Sequence, residues 1–183
     1  AERLARLGQG TRASAPAFPR GAIIRTLLKD LPPDELKGPT LFHEHLSMTN
    51  PMPHAPPPSA PVPPSLYQNV GLLVEEIRAA AQAGVVCIVD GGHADMGRSM
   101  DALRRIAKES GVHIVASGGY YTDRLYPPDI AAKDEDQIAE DLVREAAAER
   151  FGTFGEIGTS SEMTPAERKV FRAVGKAHVR TGL

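Results

Sequence analysis

Apolar positions along this chain follow two rhythms, a 3.6-residue helical spacing and short continuous runs, and the two take turns. Leu66, Val70, Leu73, Val74 and Ile77 fall on one helical face, with Ser65 as the expected cap and Gly84 as the stop. The unbroken run Val85-Val86-Cys87-Ile88-Val89, closed by Asp90-Gly91-Gly92, predicts a strand buried on both faces. Met100, Leu103, Ile106 and Ala107 mark a second helix that stops at Gly111, and His113-Ile114-Val115-Ala116 predicts a strand running into Ser117-Gly118-Gly119-Tyr120-Tyr121. Asp134 is placed to cap a third helix carrying Ile138, Leu142, Val143 and Ala146, and Phe154-Gly155-Glu156-Ile157-Gly158 predicts another strand. The last helix opens on Thr164-Pro165-Ala166-Glu167, a capping box with proline in the first turn, and runs inward through Val170, Phe171, Val174 and Ala177 to Gly182.

Upstream, Ile23 to Leu28 is β-rich and halts at Pro32-Pro33; one helical turn at Asp34-Glu35-Leu36 then leads through Gly38-Pro39 into the strand Thr40 to Leu46. Strand and helix therefore alternate four times. Buried strands separated by amphipathic helices pair in parallel through right-handed crossovers, which leaves a doubly wound sheet or a (β/α)8 barrel. Four β/α units amount to half such a barrel, so the fold class is α/β. Residues 1–20 read as an amino-terminal arm, and 21–183 as the half-barrel domain. Within it, residues 50–64 hold eight of the sixteen prolines and form an expected surface loop leaving the first strand, with His54 as a solvated loop residue.

Composition narrows the function. With 21 basic and 23 acidic residues in 183, the chain has no electrostatic bias toward nucleic acid or anionic membranes, and a small-molecule substrate fits better. The single cysteine, Cys87, precludes an intrachain disulfide and lies in an apolar run, where core packing is the expectation. No apolar run approaches the roughly 20 residues that cross a bilayer. No signal-peptide pattern opens the sequence, so the expected location is the cytoplasm, or an exported form after signal removal.

The chemistry-bearing residues gather at the predicted carboxyl ends of strands, where α/β folds place their sites. His43 and His45, two apart in a strand, share one face with Glu44 on the other, and two imidazoles on one face can hold a metal. Asp90 and His93 follow the second strand, Tyr120 and Tyr121 the third, and Glu156 stands within the fourth. A carboxylate among Phe154 and Ile157 is costly to bury alone; a cation, a basic partner or solvent would relieve it. His93 can line a pocket. His113 opens its strand at the opposite end and reads as structural, and His178 sits where a cation suits the helix C-terminus.

Three stretches then carry a likeness: Gly38-Pro39-Thr40-Leu41-Phe42-His43-Glu44-His45-Leu46, Gly118-Gly119-Tyr120-Tyr121, and Gly155-Glu156-Ile157-Gly158-Thr159-Ser160 with Thr164 to Phe171. Together they resemble the phosphotriesterase family of the amidohydrolase superfamily, closest to its phosphotriesterase homology protein branch. The resemblance implies a (β/α)8 barrel with two divalent metal ions, usually zinc, sharing a hydroxide that attacks ester, lactone or phosphoester bonds. It implies His43 and His45 as ligands of the more buried ion and Glu156 as the bridge, where many members carry a carboxylated lysine. Tyr120 or Tyr121 would lie near the substrate.

The family's further ligands, two histidines and an aspartate from later strands, have no counterparts among these residues. Three arrangements complete the barrel: a longer chain, a second chain, or a homo-oligomer of this one. The alternative from a different class is a catalytically incomplete half-barrel that serves as an association or scaffold module.

Overall fold

A computed structural model of the chain describes residues 18–49 and 66–183. The expected arm, except for its last three residues, the proline-rich loop with His54, and the Ser65 cap lie outside the described residues. Among the described residues, six strands and four α-helices are formed: β1 (Ile24–Arg25), β2 (Asp30–Leu31), β3 (Thr40–Glu44), α1 (Val70–Gln82), β4 (Cys87–Asp90), α2 (Met100–Ser110), β5 (His113–Gly118), α3 (Glu135–Glu149), β6 (Thr153–Phe154) and α4 (Pro165–Thr181). Strands β3, β4, β5 and β6 pair in that order, each neighbour parallel, with Thr40 opposite Cys87, Cys87 opposite His113 and Ser117 opposite Thr153. This is the curled sheet of half a (β/α)8 barrel.

Local chemistry accounts for the helix ends. Ser99 caps α2, Gly111 in the left-handed conformation ends it, and α3 and α4 both begin with reciprocal capping boxes, Asp134 with Gln137 and Thr164 with Glu167. The first helix departs from the expectation. A 3-10 turn occupies Leu66–Gln68, and α1 starts at Val70, where the Asn69 side chain accepts a hydrogen bond from the Leu72 N–H.

Two cores follow from the helical periods. Leu73, Val74 and Ile77 of α1 and Leu103, Ile106 and Ala107 of α2 pack on Ile88 and Ile114, while Ile138 and Leu142 of α3 meet Val170, Ala173 and Ala177 of α4. Cys87 is buried, as its apolar run implied. Phe171 departs from its expected inward place and is 37 % exposed, because the buried stripe of α4 runs through Val170, Ala173 and Ala177. The β-rich stretch after Gly21 folds as a tight antiparallel hairpin, β1–β2, and the Leu27 N–H donates to the Ile114 carbonyl at 2.8 Å at the amino-terminal end of β5. Among the described residues, no helix is long and apolar enough to cross a membrane.

Candidate metal centre

The site lies at the carboxyl end of the sheet and draws on its two outermost strands. His43 is in β3; His45 stands just past that strand, and Glu156 just past β6. The predicted fourth strand is thus shorter than expected: Gly155 adopts φ +134°, the ladder stops at Phe154, and Glu156 turns toward the histidines instead of standing in a pleat. In a flat sheet β3 and β6 would be about 14 Å apart, three strand spacings. Here His43 Nε2 is 2.9 Å from Glu156 Oε2 and His45 Nε2 is 3.3 Å from Glu156 Oε1, so the curl of the sheet assembles the cluster.

Several backbone features hold this arrangement. A Cβ on Gly91 would come within 3.0 Å of His43 Cδ2 and 3.1 Å of its Nε2, close enough that the ring would have to shift by a few tenths of an ångström. The Gly91 N–H donates to the Glu44 carbonyl at 2.9 Å, and the Gly91 carbonyl accepts from the Glu156 N–H at 3.4 Å, which ties both edges to β4. Asp90 is fully buried; its Oδ2 accepts from the Leu46 N–H at 2.7 Å and its Oδ1 from the Gly92 N–H at 3.1 Å. The first of these bonds fixes the chain immediately after His45. Burial pushes the Asp90 carboxyl up, against the Leu46 amide, the Arg98 cation, the Gly92 amide and His45.

Beneath the cluster lies a sealed polar layer. His93 is fully buried, with its Nδ1 3.8 Å from Asp95 Oδ1. Burial first, then the Arg98 cation and His45, pull its pKa down to about 3, with the Gly155 carbonyl opposing, so the imidazole is neutral at physiological pH. Burial likewise pushes Asp95 up to about 6, against the Tyr121 amide, turn amides and Arg98. Arg98 Nη1 donates to the Gly92 carbonyl at 2.6 Å and to the Ser117 carbonyl, and its guanidinium lies 4.9 Å from the Phe151 ring centroid, joining the ends of β4 and β5.

The two candidate tyrosines part company. Tyr120 is buried in the second core, edge-on to Tyr126 with centroids 6.0 Å apart. Tyr121 is half-buried; its N–H donates to Asp95 Oδ2 at 2.8 Å, its ring packs on Gly158, and burial together with the nearby Glu156 charge raises its phenol pKa. His113 opens β5 at the far end of the sheet, and His178 closes the last turn of α4 against the Leu183 carbonyl.

Asp95 and Arg98 escaped the sequence reading. Their signal was a pair of opposite charges three apart, in and just after the short Ala94–Met96 turn that follows a glycine-rich strand end.

Chemically, two imidazole nitrogens and a carboxylate offer one ligand atom each within 4.8 Å of one another, alone of their kind among the described residues. Nitrogen and oxygen donors of this type suit zinc and similar divalent ions. The rim is open as well, since the His43 side chain is 55 % exposed, compared with 19 % for His45 and 26 % for Glu156. The residues fit a divalent ion reached from solvent.

The profile of the phosphotriesterase family matches residues 24–183. An N-acetyltaurine hydrolase of Danio rerio is 32 % identical over 189 aligned positions, covering 87 % of this chain and 54 % of the relative. A resiniferatoxin-binding protein from Rhodobacter sphaeroides superposes with a TM-score of 0.79 at 30 % identity, covering 88 % of this chain and 53 % of the other. The phosphotriesterase homology protein of Escherichia coli, solved with phosphate in its active site, gives a TM-score of 0.66 at 27 % identity over 80 % of this chain and 51 % of that one. The chain spans about half the length of the relatives it matches.

Proposed function

This chain belongs to the phosphotriesterase family, and from that premise we propose that it carries the first part of the active site of a metal-dependent hydrolase. The observation that supports this most directly is the meeting of His43, His45 and Glu156 from opposite edges of one sheet. In this reading His43 and His45 would hold one divalent ion and Glu156 would offer its carboxylate to that ion and, as the family resemblance implies, to a second, zinc being the natural choice for such donors. The remaining ligands belong to barrel units beyond the four described here.

When bound, such ions supply Lewis acidity, acidifying water and polarising the carbonyl or phosphoryl oxygen under attack. The chain's own residues do the rest. The curled sheet holds the three ligand side chains in mutual reach, and the exposed His43 edge leaves an approach for substrate. Buried Asp90 and His93, with the partly buried Arg98, close the floor and orient the backbone around His45. Tyr121, beside Glu156 at the rim, is the proposed substrate contact, while Tyr120 supports it from the core.

The proposed substrates contain ester, lactone or phosphoester bonds. The relative from Danio rerio, named for N-acetyltaurine, adds a simple acyl amide, whose cleavage is the same attack of water at a carbonyl. Elemental analysis of the purified chain after zinc supplementation is the test, with hydrolysis of an aryl acetate, a γ-lactone and N-acetyltaurine followed in parallel. About one zinc per chain, or about two per completed barrel, is expected, and a His43→Ala/His45→Ala double variant should lose it. A folded chain that takes up no divalent ion overturns the reading.

A further inference from the structure

Glu167 does more than a capping box requires. In such a box the third residue of the helix returns one side-chain bond to the cap residue, and Glu167 does so, its Oε2 accepting from the Thr164 N–H at 2.9 Å. Its second oxygen reaches outside the helix. Oε1 accepts from the Ser160 N–H at 2.9 Å, the Ser160 hydroxyl at 2.8 Å and the Asp123 N–H at 3.3 Å. The residue is fully buried, at 0 % exposure. Although burial pushes its carboxyl up, the donors from Thr164, Ser160 and Asp123 together outweigh that and hold it below the usual range.

The two loops gathered on Oε1 are the ones that carry the candidate site. Ser160 follows Glu156 by four residues, and Asp123 follows Tyr121 by two. Between these anchors the loops are also joined directly, the Gly158 N–H donating to the Tyr121 carbonyl at 2.8 Å. On its other side the Tyr121 N–H is held by Asp95 at 2.8 Å. Two carboxylates thus bracket the Tyr121 segment, and Glu167 is the one that also reaches the Glu156 loop.

We propose that Glu167 is a positioning residue for the metal centre: it locks the loop after β6 to the loop after β5, so that Glu156 meets His43 and His45 while Tyr121 stays beside it. This rests on the reading of those three residues as metal ligands. A carboxylate is required because four N–H and O–H donors converge on its two oxygens. An amide at this position would turn an N–H₂ toward either the Thr164 donor or the Ser160 and Asp123 donors.

The test is Zn²⁺ titration of the metal-free chain by calorimetry, with Co²⁺ absorption spectra reporting ligand geometry. Glu167→Gln should weaken Zn²⁺ binding by about tenfold or more, the scale of lost outer support around metal ligands, and should alter the Co²⁺ spectrum. Thr164→Ala removes the hydroxyl that caps α4 but leaves Glu167 on both loops; it should lower thermal stability with zinc affinity kept within about twofold. Ser160→Ala deletes a single donor and serves if Glu167→Gln does not fold; because three donors to Glu167 remain, it should weaken zinc binding about threefold, less than the full worth of one hydrogen bond to a charged group. If Glu167→Gln, or in its place Ser160→Ala, leaves zinc affinity and the Co²⁺ spectrum unchanged, the proposal fails. If the wild-type chain binds no zinc, the underlying reading fails instead.

Discussion

At the amino-terminal end of the sheet, the β1–β2 hairpin lies against the strands through a backbone bond from Leu27 to Ile114, the buried Leu27 and Leu31, and an Arg150–Asp30 ion pair of 2.6 Å. At the carboxyl end, Asp90, His93, Asp95 and Glu167 are all buried within reach of one another's loops. The first end is satisfied by ordinary packing. The second places groups that prefer water out of its reach, and holds the carboxylates of Asp90, Asp95 and Glu167 by hydrogen bonds that also orient the residues around His43, His45 and Glu156. In parallel barrels the lower face serves stability and the upper face chemistry, and this chain shows how that division is built from individual contacts.

Paired glycine substitutions separate the two ends most sharply. A Cβ on Gly152 would lie 2.3 Å from the Arg25 carbonyl oxygen and 2.6 Å from Val115 Cγ1. Gly152→Ala should therefore destabilise the chain by about 3 kcal/mol in denaturant titrations without changing zinc affinity per folded molecule. Gly91→Ala should do the opposite, because its Cβ meets the His43 ring. Zinc affinity should fall by about tenfold, or about 1.4 kcal/mol, with a smaller loss of stability. Equal effects from both variants would dissolve the distinction.

Acid sharpens it next. His93 titrates near 6.5 when unfolded but at about 3 when folded, so between these values the unfolded chain binds the extra proton and acidification costs stability. Asp95, raised to about 6, works in the reverse sense, since its folded form takes up the proton first. His93→Gln removes one of two opposed contributions. Relative to wild type, its stability should improve by about 1.4 kcal/mol for each pH unit of acidification below about 6. At the other end His113 is lowered more weakly, chiefly by partial burial and then by Lys29, against Glu35. His113→Gln should show a shallower slope, and denaturation curves recorded from pH 7 to 4 would tell the two apart.

The smallest effect is expected at Ser99, whose side chain accepts from the Ala102 N–H at the start of α2. Ser99→Ala should lower stability by about 1 kcal/mol and leave metal binding intact. A marked loss of zinc affinity would show that the cap, too, belongs to the site's support.

The helices, the capping residues Asp134 and Thr164 and the alternation of strand with helix were readable because each is written locally, whereas α1 takes its cap from Asn69. A 3.6-residue apolar period, a Ser or Thr before it and a glycine after it require no knowledge of the rest of the chain. Distant contacts were not readable. Phe171 stays partly exposed because the partner stripe on α3 meets its neighbours Val170 and Ala173. Tyr120 and Tyr121 are indistinguishable by composition, and only their packing sends one into the core and the other beside Glu156. Glu167 was legible as a cap, but its bonds to Ser160 and Asp123 depend on two loops brought together by the fold. The proximity of His43 to Glu156 was available only from the likeness to a known family, since no pattern along the chain encodes sheet curvature.

That curvature carries a thermodynamic corollary. His43 and Glu156 are far apart in sequence yet 2.9 Å apart in space, so an ion shared between them would act as a cross-link closing a loop of roughly 110 residues. For covalent links of that length, the restriction placed on the unfolded ensemble is estimated at about 4.7 kcal/mol. A ligand held in common would thus fasten the sheet like a clasp, drawing its first and last strands together, and melting temperature would report its occupancy.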